Sequence, residues 1–185
     1  MALTQIDKVA ALIVVDMQKG IVGLPTVHPV AGITDRIARL ARAFRENDLP
    51  VVLVNVAGGA PGRTDTKFNF SPPADWTELV PELDRQPSDY TVTKLNIGAF
   101  YGTGLDQILR RRAVTQVFLT GIATAIGVEA TARTAYDHGY NVGLVVDAMT
   151  DMNADAHRHS VEVTFPRIGE TATSEDVLAL LKQRR

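Results

Sequence analysis

Short runs of valine, isoleucine and leucine punctuate the chain, and polar residues do not alternate within them. Ala10–Val15, Pro50–Val54, Tyr90–Thr93, Gln116–Leu119 and Val142–Val146 have this form. Strands covered on both faces of a parallel sheet read this way. Between them the apolar period changes to that of a helix. Over Ile33–Arg45, the residues Ile33, Ile37, Leu40, Ala41 and Phe44 recur at helical spacing, and Arg36, Arg39, Arg42 and Arg45 take the other side. Leu105–Arg112, Val128–His138, Ala154–Val163 and Ser174–Gln183 are predicted helices as well. Asp155 and Ser174 stand near helix starts, and Gly139 suits a helix end. Strands alternating with helices imply right-handed crossovers. The expected fold class is α/β: a doubly wound three-layer sandwich with a six-stranded, mostly parallel sheet, its last strand short and near Arg167–Ile168.

Residues 57–88 break the rhythm. They are rich in proline and glycine, and they hold the only tryptophan, Trp76. So long a connection without its own helix or strand is uncommon, and reads as a lid or binding loop, or as a surface excursion or oligomer contact. The 185 residues are otherwise read as one domain spanning 1–185.

Charge and composition remove several function classes. A net charge of −2 leaves no electrostatic footprint for nucleic acid or an anionic membrane. The run Arg110–Arg112 closes a predicted helix, where it complements the helix dipole. The chain has no cysteine, which excludes a disulfide framework and a thiolate metal site. The apolar run Val9–Val15 is too short to span a bilayer and carries no basic leader, so the expected location is cytoplasmic. His28, His138, His157 and His159 give no plausible ligand set, since His157 and His159 stand two apart on one predicted helix. Neither a metal nor another cofactor is expected.

In an open parallel sheet, ligands bind at the carboxyl ends of the strands where the winding reverses. Three features fall at such ends. Asp16 follows the first strand in Leu12-Ile-Val-Val-Asp-Met-Gln18. Lys94 closes the third in Tyr90-Thr-Val-Thr-Lys94. The loop Gly121–Gly127 follows the fourth and leads into a helix. Taken singly, each has a structural explanation: a carboxylate capping a turn, a solvated lysine, glycines that permit close packing. Their order and their common place at strand ends favour a site.

Those same residues carry a family resemblance. Val15-Asp16-Met-Gln18, Lys94-Leu-Asn-Ile-Gly-Ala-Phe100 with its following loop, and Gly121-Ile-Ala-Thr124 with Val128-Glu-Ala-Thr-Ala-Arg133 together resemble the three motifs of the isochorismatase-like hydrolases. The likeness runs from about Val9 to Leu181. It implies that Asp16 and Lys94 are catalytic and that Gln18, Phe100, Ile122, Ala123, Thr124, Ile126 and Gly127 bind substrate. It also implies a non-proline cis peptide at Ile122–Ala123 and amides turned toward a substrate oxygen. Assembly as a homodimer or homotetramer follows from the same likeness, with Trp76 and Phe68 of the long loop near a neighbour's pocket.

Most such relatives carry a cysteine where this chain has Gly127, so covalent attack by a thiol is closed to it. Thr124 is the nearest hydroxyl, and no histidine is expected beside it. The remaining route is a proton from Asp16, oriented by Lys94, with direct attack by water. The expected function is therefore a hydrolase acting on a small, anionic molecule through this pair. The alternative is a small-molecule-binding or scaffold member of the family without catalysis. True isochorismatases, which cleave a vinyl ether, share the glycine. They differ in carrying Tyr-Ala-His where this chain has Ala123-Thr-Ala125, and a glutamine near Ala57. Arg63 or Lys67 in the long loop is the candidate partner for a substrate carboxylate.

Overall fold

The structure is a computed structural model and describes residues 3–65 and 72–184. Lys67 and Phe68 lie outside the described residues. Among these residues six strands form one sheet: β1 (Ala10–Val15), β2 (Val51–Val56), β3 (Tyr90–Lys94), β4 (Gln116–Ile122), β5 (Asn141–Thr150) and β6 (Glu170–Ala172). Their order is β3-β2-β1-β4-β5-β6, and every neighbouring pair runs parallel. The helices are α1 (Lys19–Val22), α2 (Val30–Glu46), α3 (Leu105–Arg111), α4 (Glu129–Asp137), α5 (Ala154–His159), α6 (Phe165–Ile168) and α7 (Ser174–Lys182).

Every residue of β1 is buried, and its side chains are divided between two cores. Ala10, Leu12 and Val14 pack with Ile37, Leu40 and Phe44 of α2 and with Val177 and Leu181 of α7. Ala11, Ile13 and Val15 pack with Leu109 of α3, Ala132 and Ala135 of α4, and Phe165 of α6. Apolar residues are needed on both faces, which is why the strand shows no polar alternation. Each fully buried large side chain contributes about 1.5–3 kcal/mol. The expected α/β three-layer sandwich is therefore the observed fold.

The last strand lies a few residues later than expected. Arg167 and Ile168 close α6, in which Pro166 occupies the first turn. Proline there costs no hydrogen bond and favours helix over strand. β5 runs on to Thr150, past the predicted Val146, and α1 was not anticipated.

The described part of residues 57–88 contains no helix longer than the 3₁₀ turn Pro81–Leu83. Its second half is a strap over the start of α1. The Gly20 amide donates to Trp76 O at 3.0 Å, Val80 N donates to Met17 O at 3.1 Å, and Leu79 bridges Gln18. The Lys19 ammonium pairs with Asp75 at 2.8 Å and Glu78 at 2.6 Å. The sheet order reverses between β1 and β4, so the loops after these two strands flank the switch point.

Candidate active site

At the carboxyl end of β1 the chain turns sharply. Asp16 adopts a left-handed φ of 55°, which aspartate tolerates better than most residues. Its amide donates to Val54 O at 2.9 Å, and its own carbonyl accepts from Gln18 N at 2.9 Å. Beside it, β4 approaches β1 so closely that a side chain at Gly121 would meet Val15 O at 2.0 Å. Gly121 also has φ +116°, so glycine is required there on both counts.

Lys94 closes β3 and reaches past the end of β2. Its ammonium lies 2.8 Å from Asp16 Oδ2, and both side chains are nearly sealed from solvent. The same ammonium donates to Ile97 O at 3.0 Å and Asn96 O at 3.3 Å. An ammonium has three donors, and all three are engaged. Asp16 Oδ1 is different: it is buried, and no donor among the described residues reaches it. Burial pushes the Asp16 carboxyl up to about 6, against the opposing pull of Lys94. The sequence did not fix which of these two effects wins; burial does.

The pair lies in the wall of a cavity of about 220 Å³. Ile122, Ala123, Ile126 and Gly127 also line it, so six of the expected site residues meet there. The Ile122–Ala123 peptide is cis. A Cβ built on Gly127 would lie 3.3 Å from Asp16 Oδ2 and 3.1 Å from Val15 Cγ1. Position 127 therefore points at the carboxyl, as the place of a thiol would. The gap left by its absence is partly closed by Val15 and Asp16 themselves.

Three expected substrate contacts lie elsewhere. Gln18 is fully buried, and its amide is consumed by the backbone: Nε2 donates to Val56 O and Trp76 O at 3.0 Å, and Oε1 accepts from Val56 N at 2.7 Å. It ties the strap to β2. Phe100 belongs to the core on the α3 side, stacked on His138 with ring centroids 5.3 Å apart. Thr124 is sealed behind the cavity wall, where its hydroxyl lies 2.8 Å from His157 Nδ1. The expectation of no histidine beside Thr124 is thus corrected. The two residues are 33 positions apart, and only the packing of α5 against the loop joins them. Burial and the neighbouring His28 ring hold the His157 imidazole below its ordinary value. Because Thr124 does not face the cavity, its pairing clamps the loop and does not make a nucleophile.

The sequence also missed Asp151 and Met152, just after β5. The Asp151 carboxylate accepts from Ala125 N at 2.8 Å and Asn153 N at 3.0 Å, and Met152 lines the cavity. The signal was the position of Asp151 at a strand end, hidden because β5 was read as stopping at Val146. Among the described residues, no group of three or more His, Asp or Glu side chains is arranged to hold a metal ion. None of the described helices is long and apolar enough to cross a membrane.

This geometry agrees with what the chain resembles. The isochorismatase domain model matches residues 10–176. The chain belongs to the isochorismatase family. An uncharacterized family protein of Bacillus subtilis, YwoC, is 41% identical over 180 residues, covering 93% of this chain and 94% of its own. The solved structure of an isochorismatase family protein from Burkholderia thailandensis superposes with a TM-score of 0.91 at 42% identity, covering 96% of this chain and 98% of that one. Ureidoacrylate amidohydrolase RutB of Variovorax paradoxus is 29% identical over 202 residues, covering 90% of this chain and 79% of its own. Family members are hydrolases, and this chain is an isochorismatase-family hydrolase.

Proposed function

We propose that this chain hydrolyses a small molecule by proton transfer from Asp16 and direct attack of water, without a covalent intermediate. One observation carries the reading: the Asp16 carboxyl is anchored through Oδ2 by Lys94, and its buried Oδ1 has no donor among the described residues. A carboxyl pushed up to about 6 holds its proton on a useful fraction of molecules near neutrality. The protonated carboxyl then donates to the bond being broken, and the electron pair of that bond leaves with the proton. Water adds to the carbon left electron-poor, and its surplus proton returns to Asp16. One water is consumed and the carboxyl is regenerated. Lys94 orients the acid, since its three donors are already engaged.

The relative RutB acts on ureidoacrylate by its name, and amide-like bonds are included in the test for that reason. Wild type is incubated with isochorismate, carbamoyl compounds and small amides, and products are read by mass spectrometry. Asp16→Asn cannot donate a carboxyl proton and should lose turnover on whichever substrate is found. It leaves the Lys94 ammonium buried without its counter-charge, so circular dichroism must first show that it folds. A folded Asp16→Asn protein with undiminished turnover would reject the mechanism. No product from any compound would favour the binding or scaffold reading, whose motive is the missing thiol at Gly127.

A further inference from the structure

We infer that the cavity selects neutral molecules with an apolar body, and that Ile126 and Met152 set this specificity. The inference rests on the reading of the cavity as the substrate site, and it revises the expected charge of the substrate. Among the described lining residues only Asp16 and Lys94 are charged, and while Asp16 is ionised they neutralise one another at 2.8 Å. The ammonium spends its other two donors on Asn96 O and Ile97 O, so none is left for a carboxylate. Arg63, expected as a partner for such a group, is exposed and does not line the cavity. An anion entering here would give up its hydration with no free cationic side chain among the described lining residues to receive it, at a cost that burial of its remainder must overcome.

The mouth adds the positive half of the argument. Leu24, Ile97, Ile126 and Met152 all line the cavity, and they are 37 to 60% exposed. Large apolar side chains scattered singly need no explanation, but four converging on one cavity mark a binding surface. They come from three separate connections, after β1, β3 and β5, and from the turn after β4. Asp16 and Asn96 bring polar side chains to the same cavity. The volume of about 220 Å³ lies below the ~300–1,000 Å³ of drug-sized sites, so the ligand is small. The occupant is a neutral polar head at Asp16 joined to a short apolar body against Ile126 and Met152.

The probes are matched pairs that need no turnover: acetamide, butanamide and hexanamide against succinamate and adipamate, which end the same chains in a carboxylate. Binding is followed by amide-shift titration in nuclear magnetic resonance at pH 8, where Asp16 is ionised. Each added methylene should tighten binding about fourfold until the cavity is filled. The carboxylates should bind at least tenfold more weakly than their neutral partners. Ile126→Ala and Met152→Ala should flatten the dependence on chain length. Asp16→Asn should keep that dependence even where it abolishes turnover, which separates a failure of the acid mechanism from a failure of this inference. Equal or tighter binding of adipamate, or affinity independent of chain length, would overturn it. So would sedimentation showing that Ile126→Glu converts an oligomer to monomer while hexanamide affinity stays unchanged, because the mouth would then be an interface between copies.

Discussion

Two aspartates follow core strands in this fold, and burial alone does not distinguish them. Asp16 follows β1 and is 6% exposed; Asp151 follows β5 and is 3% exposed. Both oxygens of Asp151 are satisfied by backbone amides, from Ala125 and Asn153, so this carboxylate holds together the loops after β4 and β5. Asp16 has one oxygen on Lys94 and one without a donor. A buried carboxylate costs free energy unless hydrogen-bonded. The fold accepts that cost at β1 and avoids it at β5. What marks a candidate acid is therefore an oxygen left over, and this can be tested by treating the two residues alike.

Replacing each by asparagine should give opposite outcomes. Asp16→Asn removes the proton donor, and general acids contribute roughly a hundred- to ten-thousandfold, so turnover should fall by that factor. Asp151→Asn turns an NH₂ group toward an amide that needs an acceptor. It should cost about 1–3 kcal/mol of stability, read as a melting point several degrees lower. Turnover per folded molecule should stay within a few-fold of wild type. Comparable losses of turnover in the two variants would erase the distinction.

The next effect is on pH. The acid form of Asp16 is the active one, and its folded value is raised to about 6. Turnover should be level below that value and fall about tenfold per pH unit above it. The sign decides the role: if Asp16 acted as a base, the profile would rise through the same region. Asp151→Asn should leave the midpoint where it is, and a shifted midpoint would show that the two carboxyls are not independent.

The contrast between the two aspartates also shows what the sequence could disclose. The alternation of strands and helices, and the placing of Asp16, Lys94 and Gly127 at strand ends, follow from local patterns: apolar runs without polar alternation, glycines at tight turns. These were legible. The roles of Gln18, Phe100 and Thr124 were not, because each is decided by a partner distant in the chain: Val56 for Gln18, His138 for Phe100, His157 for Thr124. A motif places a residue near a site but does not say which way its side chain turns. The donors of Lys94 end on Asn96 O and Ile97 O, only two and three residues on, so what was hidden there is the direction of the side chain and not a distant partner.

A smaller effect is expected on the far side of the cavity wall. His157→Phe would leave the buried Thr124 hydroxyl without its 2.8 Å partner. The expected loss is about 1–2 kcal/mol, a melting point lower by a few degrees, with turnover reduced a few-fold through a looser loop. His157→Gln, which can restore the bond, should recover part of both. A turnover loss as deep as that of Asp16→Asn, with the melting point unchanged, would instead give His157 a direct part in the chemistry.

The mildest change is the most informative about Asp16. At Gly127 a methyl group would lie 3.1 Å from Val15 Cγ1 and 3.3 Å from Asp16 Oδ2, tight enough to require small shifts of both side chains. Its backbone is not in the left-handed region, so alanine is conformationally allowed. Restricting the unfolded chain favours alanine by about 0.4–1 kcal/mol, which offsets part of the crowding. Gly127→Ala should therefore change stability by no more than about 1 kcal/mol. The added methyl group increases the burial of the carboxyl, and burial is the larger cause of its raised value. The descending limb of the pH profile should accordingly move to higher pH by a fraction of a unit, while turnover at low pH stays near wild type. A limb that moves to lower pH would mean that the pull of Lys94, and not burial, governs the proton on Asp16.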